Sequence, residues 1–153
     1  MKPNPTDVQF LDAFRDLEYR LSHEIGFRLF SVLLVDLHEV VRVYSSNTDA
    51  YPLGGRKQMG QTSWGVHVIT KGEPWLGKTL ENLQEVFCDH ALIAELGCGC
   101  CINIPVRDHV QTIGTLNLLD AAGRYDEDHL DRATKFSEPS VPLLRAVAKF
   151  WEK

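Results

Sequence analysis

Apolar residues recur along the first part of the chain at steps of four, three and four, at Phe10, Phe14, Leu17 and Leu21. That spacing puts all four on one face and predicts an amphipathic helix. Its start is marked over residues 5–9, where Thr6 can cap while Gln9 reaches back in a capping box, and Gly26 marks its stop. The period then changes. Residues 27–36 (FRLFSVLLVD) are dense in apolar and β-branched side chains and predict a buried strand; Leu37-His38-Glu39 makes a turn, and 40–46 (VVRVYSS) alternates as the returning strand of a hairpin. Residues 47–51 read as a turn and 52–56 (PLGGR) as a flexible loop.

Farther on, Val66, Val68 and Thr70 fit a strand, Lys71-Gly72 a turn, and 73–76 an extended piece. Residues 79–95 predict one helix carrying Leu83, Val86 and Phe87, with Cys88 and Leu92 near its apolar side. Gly97 and Gly99 break the chain. Two strands, 100–106 and 112–120, are joined by the polar turn Arg107-Asp108-His109. Asp126 begins another helix, continued by 129–136 and interrupted at Pro139 and Pro142; Val141, Leu144, Val147, Ala148 and Trp151 then form the apolar face of a final helical piece. The order helix, hairpin, strand, helix, hairpin, helix describes an α+β domain, with the terminal helices covering one sheet face. No repeat or linker divides it, so residues 1–153 are read as one domain with a core of about 6–151.

Composition narrows the class. An apolar content of 44% with 24% charged residues matches a globular domain with a core of its own. The longest apolar runs fall well short of the ~20 residues that cross a bilayer, and the N-terminus lacks the apolar core of a signal peptide. A cytoplasmic location with reduced thiols is therefore expected. The net charge of −5 and the scatter of the 16 basic residues argue against nucleic acid as a partner, because neutralising phosphates requires clustered cations.

The stretch CCINIPVRDHVQTIGTLNLLDAAGRYDEDHLDRA resembles the end of a GAF domain. The matching pieces are 100–106, Ile113-Gly114-Thr115-Leu116-Asn117-Leu118 and Tyr125-Asp126-Glu127, and upstream YPLGG and WGVHVITKGEPWLG are similar to the family's middle segments. The resemblance implies a six-stranded antiparallel sheet with the N- and C-terminal helices on one face and a ligand pocket on the other. It also implies a stand-alone sensory domain that binds a small molecule. By the same resemblance Tyr51, Trp64, His67 and Trp75 border the pocket, with Trp64 and Trp75 as walls and His67 and Asn103 as hydrogen-bonding groups. The resemblance leaves the ligand and any cofactor unknown. Cyclic-nucleotide-binding members carry an Asn-Lys pair where this chain has Asn117-Leu118, so the cation that would meet a cyclic phosphate is missing.

The four cysteines, Cys88, Cys98, Cys100 and Cys101, raise a second reading. Another branch of the family reduces free methionine sulfoxide with pocket thiols, and Cys88 on the helix can face Cys98 on the glycine-flexed turn as a redox pair. No metal is expected: the spacing Cys98-x-Cys100-Cys101 lacks paired knuckles, and neighbouring strand residues point to opposite faces. Cys100 and Cys101 then read as small strand residues, one on each face. Asp36, Asp120 and Asp126 sit at turns or helix starts, where a carboxylate serves the local backbone, and are given no catalytic role. The sequence thus describes a ligand-binding domain, expected to pair with a second copy through Phe10, Phe14, Leu17 and Leu21 and through Leu144, Val147 and Trp151, or to signal to a separate protein. Thiol catalysis by Cys88 and Cys98 stays open beside it.

Overall fold

The computed structural model describes residues 8–58 and 62–152, and the side chains of 10–58 and 62–150. The expected cap Thr6 and the side chains of Gln9 and Trp151 lie outside the described residues. Six strands, β1 (Leu29–Asp36), β2 (Glu39–Ser45), β3 (Arg56–Gln58), β4 (Trp75–Gly77), β5 (Cys100–Asp108) and β6 (Gln111–Asp120), form one sheet in the order β3-β2-β1-β6-β5-β4. Every neighbouring pair is antiparallel.

Strand alternation sorts the sheet into two cores. On one face Phe30, Val32, Leu34, Ile102, Ile104, Leu116 and Leu118 meet the helices α1 (Val8–Glu24), α4 (Glu127–Thr134) and α5 (Ser137–Glu152). Fully burying each such side chain stabilises the fold by about 1.5–3 kcal/mol. Gly114 lets α5 approach β6, since a Cβ there would collide with Leu33 O of the neighbouring strand and with Leu144 Cδ2. α1 stops at Gly26, whose φ of +86° is cheap only for glycine, and Tyr125 Oη donates to Gly26 O at 2.7 Å. Asp126 caps α4 by accepting from His129 N–H at 3.1 Å.

The opposite face carries a smaller cluster of Leu29, Tyr51, Leu83, Ile93, Cys98, Cys101 and Leu119 under two short helices, α2 (Leu80–Val86) and α3 (His90–Glu95). Cys100 belongs to the first core and Cys101 to the second.

Five expectations are corrected. The strand at Val66–Thr70 is a π-helical turn, Gly65–Thr70: Thr62 caps it, accepting Gly65 N–H on its hydroxyl at 3.0 Å, and Lys71 N–H reaches back five residues to Val66 O at 2.8 Å. The alternation of β-branched residues there reflects their identity, since Val68 is fully buried while Val66 and Thr70 are not. The helix of 79–95 is two helices, because Phe87 takes extended backbone (φ −116°, ψ 123°) and α3 restarts after Asp89. The interruption expected at Pro139 and Pro142 falls instead at 135–136. Pro139 sits in the first turn of α5, where its missing N–H has no partner to lose, and the helix carries Pro142 inside it. The loop 52–56 gives way to β3, which joins the sheet by pairing with β2. Finally, the apolar face named for pairing two copies is spent within the chain: Phe14, Leu21, Leu144 and Val147 are buried against the sheet, and Phe10 and Leu17 with them.

Candidate functional site

Between the sheet and α2–α3 lies a cavity of about 400 Å³. Its floor is a polar row across three strands, Ser31, Asn117 and Asn103, that Trp75 continues beyond the cavity on a fourth. Ser31, Asn117, Asn103 and Trp75 are consecutive cross-strand partners on β1, β6, β5 and β4. Cross-strand partners share a face, and Ser31, Asn117 and Asn103 alternate with the helix-side residues Phe30, Val32, Leu116, Leu118, Ile102 and Ile104, so the row faces away from that core. Asn103 Nδ2 donates to Asn117 Oδ1 at 2.7 Å, Thr115 Oγ1 donates to the same oxygen at 3.0 Å, and Asn117 Nδ2 donates to Ser31 O at 3.3 Å. Trp64 Nε1 closes the row by donating to Asn103 Oδ1 at 3.0 Å. A buried polar group left unpaired costs about 1–3 kcal/mol, so this closed set is a stable floor.

The walls are aromatic and aliphatic. Phe87, released from the helix by its extended backbone, packs against Trp64 (centroids 6.2 Å apart) and edge-on against Trp75 (5.9 Å). At the β2–β3 edge Arg42 lies 4.3 Å above the Tyr51 ring, Tyr51 Oη donates to Asp89 Oδ2 at 2.7 Å, and Lys57 Nζ stands 3.9 Å from Asp89 Oδ1. Burial, reinforced by the hydrogen bond to Asp89, pushes the Tyr51 hydroxyl up, so it acts as a donor. Burial also works against the charge of Arg42 and lowers its pKa, although the Asp89 carboxylate opposes that effect.

Of the residues singled out in the sequence, Tyr51, Trp64, Asn103 and Cys88 line the cavity. Trp75 stands one layer back behind Phe87. His67 turns away to hold the chain, its Nε2 2.8 Å from Pro74 O and its Nδ1 3.7 Å from Glu73. Cys98 is buried outside the lining, where burial raises its thiol to about 11. All four thiols are free, and Cys88 is the exposed one. Burial raises the Cys100 and Cys101 thiols as well. Among the described residues no three His, Cys, Asp or Glu side chains converge as a metal site requires. Sequence reasoning missed Arg42, Lys57, Phe87 and Asp89. Arg42 was detectable as the one charge interrupting the apolar run VVRVY, on the face that alternation turns away from Val41.

This frame has counterparts among solved structures. The GAF domain of a two-component sensor histidine kinase from Bacillus halodurans superposes with a TM-score of 0.74 at 15% identity, covering 91% of this chain and 95% of that one. The chain has the GAF fold. A GAF domain/HD domain protein from Geobacter sulfurreducens gives 0.75 at 10% identity, with 92% and 94% covered. A type II free methionine-R-sulfoxide reductase from Thermoplasma acidophilum gives 0.69 at 8% identity, with 87% and 89% covered. No protein-family model matches the chain, and no curated protein matches it by sequence. The sheet order therefore belongs to a GAF frame, and the fold by itself names no ligand. Among the described residues no helix is long and apolar enough to cross a membrane.

Proposed function

We propose that this chain is a sensory or regulatory domain that holds a small molecule in the cavity between the sheet and α2–α3. The observation that supports this is the cavity itself, about 400 Å³ with aromatic walls over a fully paired polar floor. Sites of this kind, apolar with a few fixed polar groups, are the usual form of small-ligand pockets. In this reading Tyr51, Trp64 and Asn103 touch the ligand, while Trp75 and His67 support the wall and the π-helical turn behind it. Occupancy would reach a second copy, or a separate cytoplasmic signalling protein, through the outer faces of the terminal helices. A thiol reaction in this cavity would rest on Cys88, the cysteine that is exposed there.

Native mass spectrometry of freshly purified protein tests the reading. A retained small molecule is expected, released by Trp64→Ala. Bare polypeptide, together with cavity resonances that no metabolite mixture shifts in NMR spectra, would overturn it. The same spectra report whether two copies associate.

A further inference from the structure

The lining of the cavity is unevenly charged. Its charged side chains are Arg42, Lys57 and Asp89, two cations against one carboxylate, which leaves one positive charge in excess. Asp89 is already engaged: Tyr51 holds one of its oxygens, and Lys57 stands beside the other. Arg42 is held in place without an ion pair, Asp89 acting on its charge only from a distance. Its Nη1 donates to Pro52 O at 3.2 Å and its guanidinium rests on the Tyr51 ring, but among the described residues no carboxylate comes within 4 Å of it. A ring face offsets only ~0.5–2 kcal/mol of the cost of removing a guanidinium from water. Arg42 is half-buried and its Nε is shut away from water with no hydrogen-bond partner, so part of that cost stays uncompensated and is recovered when an anion arrives. Lys57 is half-exposed at the same rim, its Nζ 5.9 Å above the Phe87 ring.

We infer that the cavity takes a monoanionic ligand with an apolar body: a carboxylate seated between Arg42 and Lys57, and the body lying against Trp64, Phe87, Ile93 and Leu119. This rests on the reading of the cavity as a ligand site. The excess of one charge matches a carboxylate, whereas a phosphate monoester carries about −1.5 to −2 at neutral pH and would leave negative charge uncompensated against apolar walls. The planar guanidinium favours a carboxylate further, because its fork matches the two oxygens. A cationic ligand is disfavoured, since it would meet two like charges, Arg42 and Lys57, while the single carboxylate, Asp89, is already engaged by Tyr51 and Lys57.

The probes are phenylacetate, its neutral amide phenylacetamide, benzylamine and phenyl phosphate. Each is titrated into the dialysed protein and followed by NMR on the Trp64 indole N–H. Phenylacetate is expected to bind at least ~10-fold more tightly than phenylacetamide, the ratio a charge-assisted hydrogen bond supplies. Benzylamine is expected not to bind. Arg42→Gln and Lys57→Gln should each reduce the preference for the acid over the amide; Lys57 is half-exposed, so its variant reports even if Arg42→Gln fails to fold. Equal binding of acid and amide, tighter binding of phenyl phosphate, or no shift with any probe overturns the inference. A retained neutral metabolite in the native mass spectrum would overturn the anion while leaving the ligand site intact. Bare polypeptide and an indole signal unmoved by probes and by metabolite mixtures would remove both.

Discussion

Replacing Asn117 with leucine removes the centre of the cavity floor while keeping a branched side chain of similar shape. Asn117 accepts from Asn103 Nδ2 and Thr115 Oγ1 and donates to Ser31 O. Asn103 is 2% exposed and Thr115 fully buried, so water cannot replace the lost acceptor for either. Each orphaned donor costs about 1–3 kcal/mol, and the leucine recovers about 1 kcal/mol by apolar contact with its neighbours. The expected loss is ~1–5 kcal/mol. For a domain of 153 residues that lowers Tm by ~2–20 °C. Thermal and urea unfolding followed by circular dichroism measure it, with an unchanged m-value showing that the denatured state is unaffected. The double variant Asn103→Leu/Asn117→Leu supplies the decisive comparison. Two groups sharing a hydrogen bond are not independent, so the double loss should fall short of the summed single losses by ~1–2 kcal/mol. A neutral Asn117→Leu, or strict additivity, would refute the view of the floor as one coupled network.

Three further outcomes are expected. Gly114→Ala should cost ~3 kcal/mol or more in urea unfolding, well above Gly54→Ala, because its Cβ meets the Leu33 carbonyl and Leu144 where Gly54 has open space. A chromogenic disulfide reagent at pH 8 should titrate one thiol rapidly, Cys88, and the other three only after denaturation; rapid reaction of two would revive the thiol pair, as would turnover of free methionine sulfoxide with a dithiol reductant. The folded-state pKa of Cys98 is raised to about 11 from an ordinary 9.0, so the folded chain holds that proton longer than the unfolded chain. Its contribution to stability is complete below pH 9 and lost as pH rises through 11, and Cys98→Ala should flatten the fall in urea midpoint across that interval.

The parts of the fold legible in the sequence are those whose burial repeats with one period. Phe10 to Leu21 and Leu144 to Val147 face a single core, and strands 27–36, 40–46, 100–106 and 112–120 carry long apolar or alternating runs, so local pattern and tertiary burial agree. β3 was illegible because Arg56, Lys57 and Gln58 are all exposed and form a strand only by pairing with β2. The π-helical turn misled because β-branched residues imitate alternation, and the break at Phe87 arises from packing against Trp64 and Trp75 rather than from a glycine or proline. The cavity lining was legible as ligand contacts only in Tyr51, Trp64 and Asn103. Its charges were not, since Arg42, Lys57 and Asp89 come from three separate segments that only the fold brings together.

β5 separates two structural tasks by residue parity. Its even residues, Cys100, Ile102, Ile104 and Val106, build the helix-side core, and its odd residues Cys101 and Asn103 face the cavity. The even set answers to apolar packing against the helices, and the odd set to the hydrogen bonds of the cavity floor. A slip of one residue in register would exchange the two sets and drive an amide into the apolar core. One hydrogen-bonded register thus holds two layers at once: the amide row on one face and the apolar rows on the other each penalise a slip that the other alone would allow.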